Sequence, residues 1–541
     1  MDSQPNLDRF TSRRSTAYGT RGVVATSQPL AAQAGVDVLR DGGNAFDAAV
    51  ATAATLNVVE PMSTGLGGDA FALYRTADGD VGAMRACGGA PEAATREAVR
   101  ERAAERDDCA PADAEMPERG PLAVTVPGAP RGWEATVERF GRRPLSTVLE
   151  DAIHYATEGF PVSEVIASAW ELCEPELRND AAREQYLLDG ERAPDVGETM
   201  RLPELGETLA TLADEGAAPF YEGAIAEEIV DTVQSAGGFL DRSDLAAFEV
   251  EYPDPVSTTY GGATVYELPP NNQGLIALEA LNVAEAVGVP ETESEAERTH
   301  LLAEATKLAF TDGHRYITDP DYEEIPPLQS KQWAERRATE VGPEAIDDPE
   351  VGMLDSPAED ADTVLLTVAD GEGNVVSFIN SLFMGFGSGL VAGSTGLTLQ
   401  NRGASFSLDA DHPNRLEPGK RPFHTLIPGL VRFGADDWAA FGVMGGYMQP
   451  QGHVQVLSNL LDRGMPLQAA LDEPRWRYQE DGTLATEARF DADVVSKLVR
   501  RGHEVTVDVP LQFGGAQIAR WDDGTLSGAT EPRKDGTVDV Y

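Results

Sequence analysis

Thr363 opens the apolar alternation of "TVLLTVAD" one residue, Asp362, after "GPEAIDDPEVGMLDSPAEDA", a run rich in Pro, Gly and acids that reads as an exposed loop. A threonine there could simply start a strand, since its β-branched side chain suits one. It could also do chemistry. If the chain is cut between Asp362 and Thr363, one residue gains a free hydroxyl and a free α-amine. A hydroxyl with its own amine as base is a complete nucleophile. Other reactive groupings are sparse. Cys87, Cys109 and Cys173 are too scattered for a disulfide framework or a CxxC metal site, and the seven histidines include no HExxH or HxH pair. No metal and no cofactor is expected. "GLGGDAF" precedes a strand instead of opening a helix, and no acid is placed for a ribose, which argues against a dinucleotide loop.

The elements around Thr363 must position it. "DTVLLTVAD", "GEG" and "NVVSFINSLFMGFGSG" read as strand, tight turn and strand. With Gly371-Glu372-Gly373 as the loop, Asp370 faces Asn374 and Thr363 faces Ser381. Period-two alternation then puts Thr363, Leu365, Thr367 and Ala369 on one face. A second hydroxyl thus sits beside the candidate nucleophile.

Upstream, residues 1–20 read as a loose arm. "SQPLAAQAGVDVLRDGGNAFDAAVATAATLNVVEP" reads as two helices, with Ser27 as N-cap and Gly42-Gly43 as a stop. "MSTGLGGDAFALYRTADGDVGAMRA" predicts a Gly-rich loop and a hairpin. Residues 130–340 are mainly helical in pattern, with a strand pair near "STTYGGATVYELPP". Short strands dominate after Thr363, with a helix at "QPQGHVQVLSNLLDRG" and closing strands at "GHEVTVDV" and "GGAQIARWDDGTLSGAT". Helices segregated from antiparallel hairpins predict α+β layers, not a doubly wound parallel sheet.

A chain of 541 residues, 41% of them hydrophobic, can bury a large core and is too apolar for general disorder. It holds no apolar run of ~18 residues, so no membrane span is expected. The first residues lack an apolar signal core, and Arg13-Arg14 is not followed by the apolar segment of a twin-arginine signal, so a cytoplasmic location is expected. The net charge is −49, with five lysines against 37 arginines. That balance excludes a basic nucleic-acid footprint. Acid excess spread along the whole chain suggests a protein built for molar salt, where self-repulsion is screened.

Six blocks in order, "GGNAFDAAVA", "VVEPMSTGLGGDAF", "TVLLTVADGEGNVVSF", "FGSGLVAGSTGLTLQN", "GKRPFHTLIPGLV" and "VMGGYMQPQGH", resemble the gamma-glutamyltransferase family of N-terminal-nucleophile hydrolases. The resemblance covers roughly residues 20–530. It implies a four-layer αββα sandwich and a chain that cuts itself before the threonine. A large part, 21–362 behind the arm, and a small part, 363–541, would then persist as one intertwined heterodimer. It also implies Thr363 as nucleophile, Ser381 as the supporting hydroxyl and Gly445-Gly446 as the oxyanion hole. The physics agrees with the last assignment. Glycine backbone lets two N–H groups approach a developing oxyanion, worth ~3–4 kcal/mol per donor.

The substrate-reading positions depart from the family pattern. The arginine for a glutamyl α-carboxylate falls on Cys87, the residues around the α-ammonium fall on Phe383, Arg402 and Ser405, and a serine pair falls on His424 and Thr425. A guanidinium opposes an ammonium by ~4 kcal/mol at ~4 Å and an effective dielectric of 20. By family majority the leading substrates are γ-glutamyl amides, with water or an amine as acyl acceptor. The rival within the family is an amide with a carboxylate but no ammonium, as in oxamate amidohydrolases and cephalosporin or glutaryl acylases. On that rival reading Arg402, aided by His424, holds the acyl carboxylate, with Arg85 in reserve. A rival of another class is an unprocessed scaffold, which the intact Thr363, Ser381 and Gly-Gly pair argue against.

Overall fold

Alternating strands bury both faces when sheets stack between helices, and this chain does so twice. The structure, a computed structural model, describes residues 14–346 and 361–541. A six-stranded sheet has the order β13-β2-β7-β8-β3-β4. Its members are β2 (Gly22–Thr26), β3 (Asp69–Arg75), β4 (Val81–Ala86), β7 (Ala361–Asp370), β8 (Val375–Met384) and β13 (Thr537–Val540). A seven-stranded sheet runs β1-β12-β11-β10-β9-β6-β5. It comprises β1 (Ala17–Gly19), β5 (Val256–Tyr260), β6 (Ala263–Glu267), β9 (Gly429–Gly434), β10 (Asp437–Met444), β11 (Gly515–Asp522) and β12 (Thr525–Thr530). All pairings within these two sheets are antiparallel.

Three apolar clusters separate four layers. Val23, Phe71, Leu365 and Ile379 of the first sheet meet Leu430, Trp438, Ala440 and Ala519 of the second. On the outer face of the first sheet, Val364, Leu366, Val376 and Phe378 pack with helices α1 (Pro29–Arg40), α2 (Ala45–Val59) and α3 (Ala129–Phe140). On the outer face of the second, Val265, Val431, Phe441 and Val443 pack with α4 (Gly274–Ala286), α5 (Glu295–Tyr316) and α6 (Met448–Leu461). The result is an αββα sandwich, as expected. No helix among the described residues is long and apolar enough to cross a membrane.

Three local expectations need correction. Of the supposed arm, residues 1–13 lie outside the described residues, but Ala17–Gly19 pairs with Leu526–Gly528 as an edge strand. Gln28, not Ser27, occupies the N-cap position of α1 and makes no side-chain capping bond, because Pro29 takes the first helical position, while Ser27 donates to Glu60 Oε2 at 2.6 Å. The β7–β8 register follows the expected pairing from Val375↔Ala369 to Asn380↔Val364, then slips one residue, so that Phe383 faces Asp362. Thr363 lies opposite this bulge. The strand also begins earlier than expected, at Ala361.

Candidate active site

Thr363 and Ser381 are both fully buried, and Thr363 Oγ1 donates to Ser381 Oγ at 3.3 Å. The bulge brings this about. Two residues of β8 share the space opposite one of β7, a device that re-aims side chains. It turns the Phe383 N–H back onto Ser381 Oγ at 2.7 Å. It also holds Phe383 at φ +84°, where a bulky residue is strained. Leu382 N–H donates to the Ser63 carbonyl at 3.1 Å, so the Gly-rich loop before β3 braces the bulge.

From Phe383 a line of contacts leads to the glycine pair. The Arg402 guanidinium carbon lies 4.1 Å from the Phe383 ring centroid. Arg402 is 1% exposed, and its Nη1 donates to Thr425 Oγ1 at 2.9 Å. Its Nε and Nη2 have no hydrogen-bond partner among the described residues. Those two N–H groups share one edge of the guanidinium, the fork that fits a carboxylate. Gln273 Nε2 donates to the Thr425 carbonyl at 2.6 Å and to the Gly446 carbonyl at 3.0 Å. Gly445 and Gly446 turn at φ +112° and +50° between β10 and α6, conformations that suit glycine. The Gly445 carbonyl accepts from Met448 N–H at 2.8 Å. The pair therefore lies at the N-terminus of a 14-residue helix, where partial positive charge favours an anion.

His424 does not fit its expected part. Its Nδ1 accepts from Leu426 N–H at 3.3 Å, so the ring proton is on Nε2, which donates to Asp69 Oδ2 at 3.0 Å. Both nitrogens are engaged, and burial with the Arg402 and Arg85 charges holds the ring well below its ordinary pKa, hence neutral. Arg85 is also committed. It pairs with Glu251 at 3.1 Å and donates to the carbonyls of Pro269 and Pro270 at 3.2 and 2.5 Å. Ser405 is half-buried and its carbonyl accepts from Asn414 Nδ2 at 2.6 Å, so the structure gives its hydroxyl no role in the cluster. Cys87 is buried, and burial pushes its thiol up to about 12, so it is not a nucleophile. It borders a cavity of about 830 Å³ that Asp244, Glu251, Asp319 and Arg421 also line.

Two polar residues of the site escaped the sequence reading. Asp69 is fully buried in register with Ser381 and accepts from Gln400 Nε2 at 3.1 Å. Burial pushes its carboxyl up to about 8, against the pull of Arg402. Gln273 is the other key omission. The signal for Asp69 was an acid heading an otherwise apolar strand, and for Gln273 the amide run "NNQG" before a helix.

Two face-to-face antiparallel sheets between helical layers, with a threonine and a serine hydroxyl meeting across adjacent strands, fit the N-terminal-nucleophile hydrolase class. The gamma-glutamyltranspeptidase model matches residues 31–541. A glutathione hydrolase-like proenzyme of Bacillus subtilis is 38% identical over 97% of this chain and 99% of its own. The oxamate amidohydrolase proenzyme of Klebsiella pneumoniae is 36% identical over 97% of this chain and 100% of its own. The crystal structure of a cephalosporin acylase from Bacillus halodurans superposes with a TM-score of 0.90, at 41% identity over 100% of this chain and 99% of that one. The chain belongs to the gamma-glutamyltranspeptidase family, and it is an amide-hydrolysing or acyl-transferring enzyme of that family.

Proposed function

We propose that the chain cuts itself between Asp362 and Thr363, and that the freed Thr363 then removes from an amide an acyl group that ends in a carboxylate. Arg402 carries this reading. Its guanidinium, buried to 1% exposure, lies over the ring of Phe383, a residue whose N–H bonds Ser381; its two-pronged edge, unpartnered among the described residues, calls for a planar anion. A γ-glutamyl group would bring an ammonium to the same place, against ~4 kcal/mol of like-charge repulsion at ~4 Å and a dielectric of 20. The relatives carry the names of several amide substrates, so the choice falls to the pocket.

The steps follow from the groups present. In the single chain, Thr363 Oγ1 attacks the Asp362 carbonyl and the acyl group moves from nitrogen to oxygen. That shift breaks the C–N bond and frees the Thr363 amine, and water then hydrolyses the ester, which releases the Asp362 carboxylate and restores the Thr363 hydroxyl. In the mature enzyme that amine takes the hydroxyl proton as Oγ1 attacks the substrate carbonyl. The N–H groups of Gly445 and Gly446 hold the oxyanion, and Ser381 keeps the attacking hydroxyl oriented. The proton passes to the leaving amine, the C–N bond breaks and an acyl ester remains on Thr363. Water or an acceptor amine attacks that ester and restores the threonine.

The test compares glutaryl- and γ-glutamyl-p-nitroanilide on the processed enzyme. The glutaryl compound should be cut faster. Arg402→Ala should raise its KM about 10- to 100-fold with a smaller fall in kcat, matching the ~1.5–3 kcal/mol of hydrogen bonds to a charged group. A wild-type preference for γ-glutamyl that survives Arg402→Ala unchanged would overturn the proposal.

A further inference from the structure

Asp69 is a fully buried carboxyl that the steps above leave unused. It heads β3 and faces Ser381 across the ladder, and Ser381 in turn touches Thr363 on β7. Three adjacent strands therefore carry the acid, the supporting hydroxyl and the nucleophile in a row. Its oxygens accept from Gln400 Nε2 at 3.1 Å and from His424 Nε2 at 3.0 Å. Asp69 and Arg402 bond to different partners, Arg402 to Thr425. Those partners are consecutive in the chain, since Asp69 bonds His424 and Arg402 bonds Thr425, so one short stretch ties both side chains to the site, and each feels the other's charge.

We propose that Asp69 is a specificity-determining residue that sets the net charge of the acyl pocket. When its carboxyl is neutral, the Arg402 guanidinium stands unopposed and the pocket takes an anionic acyl group. When it is ionised, it offsets that cation and favours an acyl group that carries an ammonium beside its carboxylate. The inference rests on Arg402 being the acyl reader.

The groups around Asp69 make its charge the variable one. Arg402, lowered by burial to about 10, stays charged at neutral pH. His424 stays neutral, held there by burial and the two arginines, and Cys87 stays a thiol. Tyr221 is pushed up by burial, with a smaller push from Asp69, and stays a phenol. Asp69 is pushed up to about 8, so its proton is bound below that pH and lost above it. A docked substrate carboxylate would oppose the ionisation further.

The experiment measures kcat/KM for glutaryl- and γ-glutamyl-p-nitroanilide on processed enzyme between about pH 6 and 9. Their ratio cancels the titration of the Thr363 amine, which both substrates share. The amine of the free γ-glutamyl substrate is titrated separately by NMR and factored out. The wild-type ratio should fall about tenfold or more as the pH rises through the Asp69 transition. Asp69→Asn should hold the ratio at its low-pH value throughout. A flat wild-type ratio overturns the proposal whether or not the variant folds. So does an Asp69→Asn enzyme that keeps the wild-type slope. The two readings fail separately. If Arg402→Ala abolishes the glutaryl preference while the wild-type ratio is flat, Asp69 alone is misassigned. If Arg402→Ala leaves the ratio unchanged at every pH, the acyl reader itself is wrong.

Discussion

At the scale of single residues, the catalytic assignment turns on two groups with opposite demands. Thr363 must present its own atoms, so Thr363→Ala should remain one full-length chain of 541 residues by intact-mass measurement. Cleavage of that variant, or a new N-terminus other than residue 363, would sink the assignment. Gln273 acts through others. Its amide holds the carbonyls of Thr425 and Gly446 and so fixes both the arginine's partner and the glycine turn proposed to hold the oxyanion. Gln273→Leu should lower kcat about 10- to 100-fold with little change in KM, a fraction of the ~10²–10³ lost with a whole oxyanion donor. A KM effect as large as the kcat effect would place Gln273 at the substrate instead. The nearness of Thr363 to Ser381 was legible from the hairpin pairing, and the turn at Gly445-Gly446 from residue type. Asp69 and Gln273 were not, because a buried polar side chain is explained by its partners, and these lie far away in the chain.

Among the elements, the bulge of β8 and the loop before β3 form one unit. The bulge takes Leu382 N–H out of the ladder, and the Ser63 carbonyl accepts it. The same loop accepts Gln400 N–H on the Gly67 carbonyl at 2.9 Å, and Gln400 holds Asp69. Glycine is required there by close approach. A Cβ at Gly67 would collide with the Thr398 carbonyl, and one at Gly68 with that of Ser381. Gly67→Ala should therefore destabilise the protein by ~1–3 kcal/mol in urea unfolding and slow self-cleavage, since overpacking shifts backbone. An unchanged unfolding midpoint with normal processing would show that the loop yields freely. The hairpin register was legible up to Asn380↔Val364 because turn length fixes pairing. The slip beyond it was not. A bulge is set by what braces it from outside the hairpin, here Ser63, more than 300 residues upstream in a chain of 541.

Over the whole molecule, both sheets interleave strands from either side of the proposed cut. β7 lies between β2 and β8, and β8 lies between β7 and β3. The two fragments of a cut chain would thus share every layer of the core, so separating them means unfolding both. The layering was legible from segregated helices and hairpins. The strand order was not, because it joins chain segments hundreds of residues apart.

Charge acts at this same scale. The net charge of −49 is what remains after every Lys and Arg is set against an acid, so no ion pair removes it. Buried pairs such as Arg475–Glu531 and Arg533–Glu531 are shielded from solvent and respond little to salt. Surface repulsion responds strongly, because the Debye length falls from ~10 Å at 0.1 M to ~3 Å at 1 M. The melting temperature, followed by circular dichroism, should therefore rise steeply in KCl up to about 1 M and then level off as screening saturates. A rise that instead continues in proportion to salt up to about 4 M would indicate the exclusion of salt from apolar surface, not screening. Equal melting temperatures at about 0.1 M and 2 M would show that the acid excess carries no stability cost, and the expectation of a molar-salt protein would fall with it.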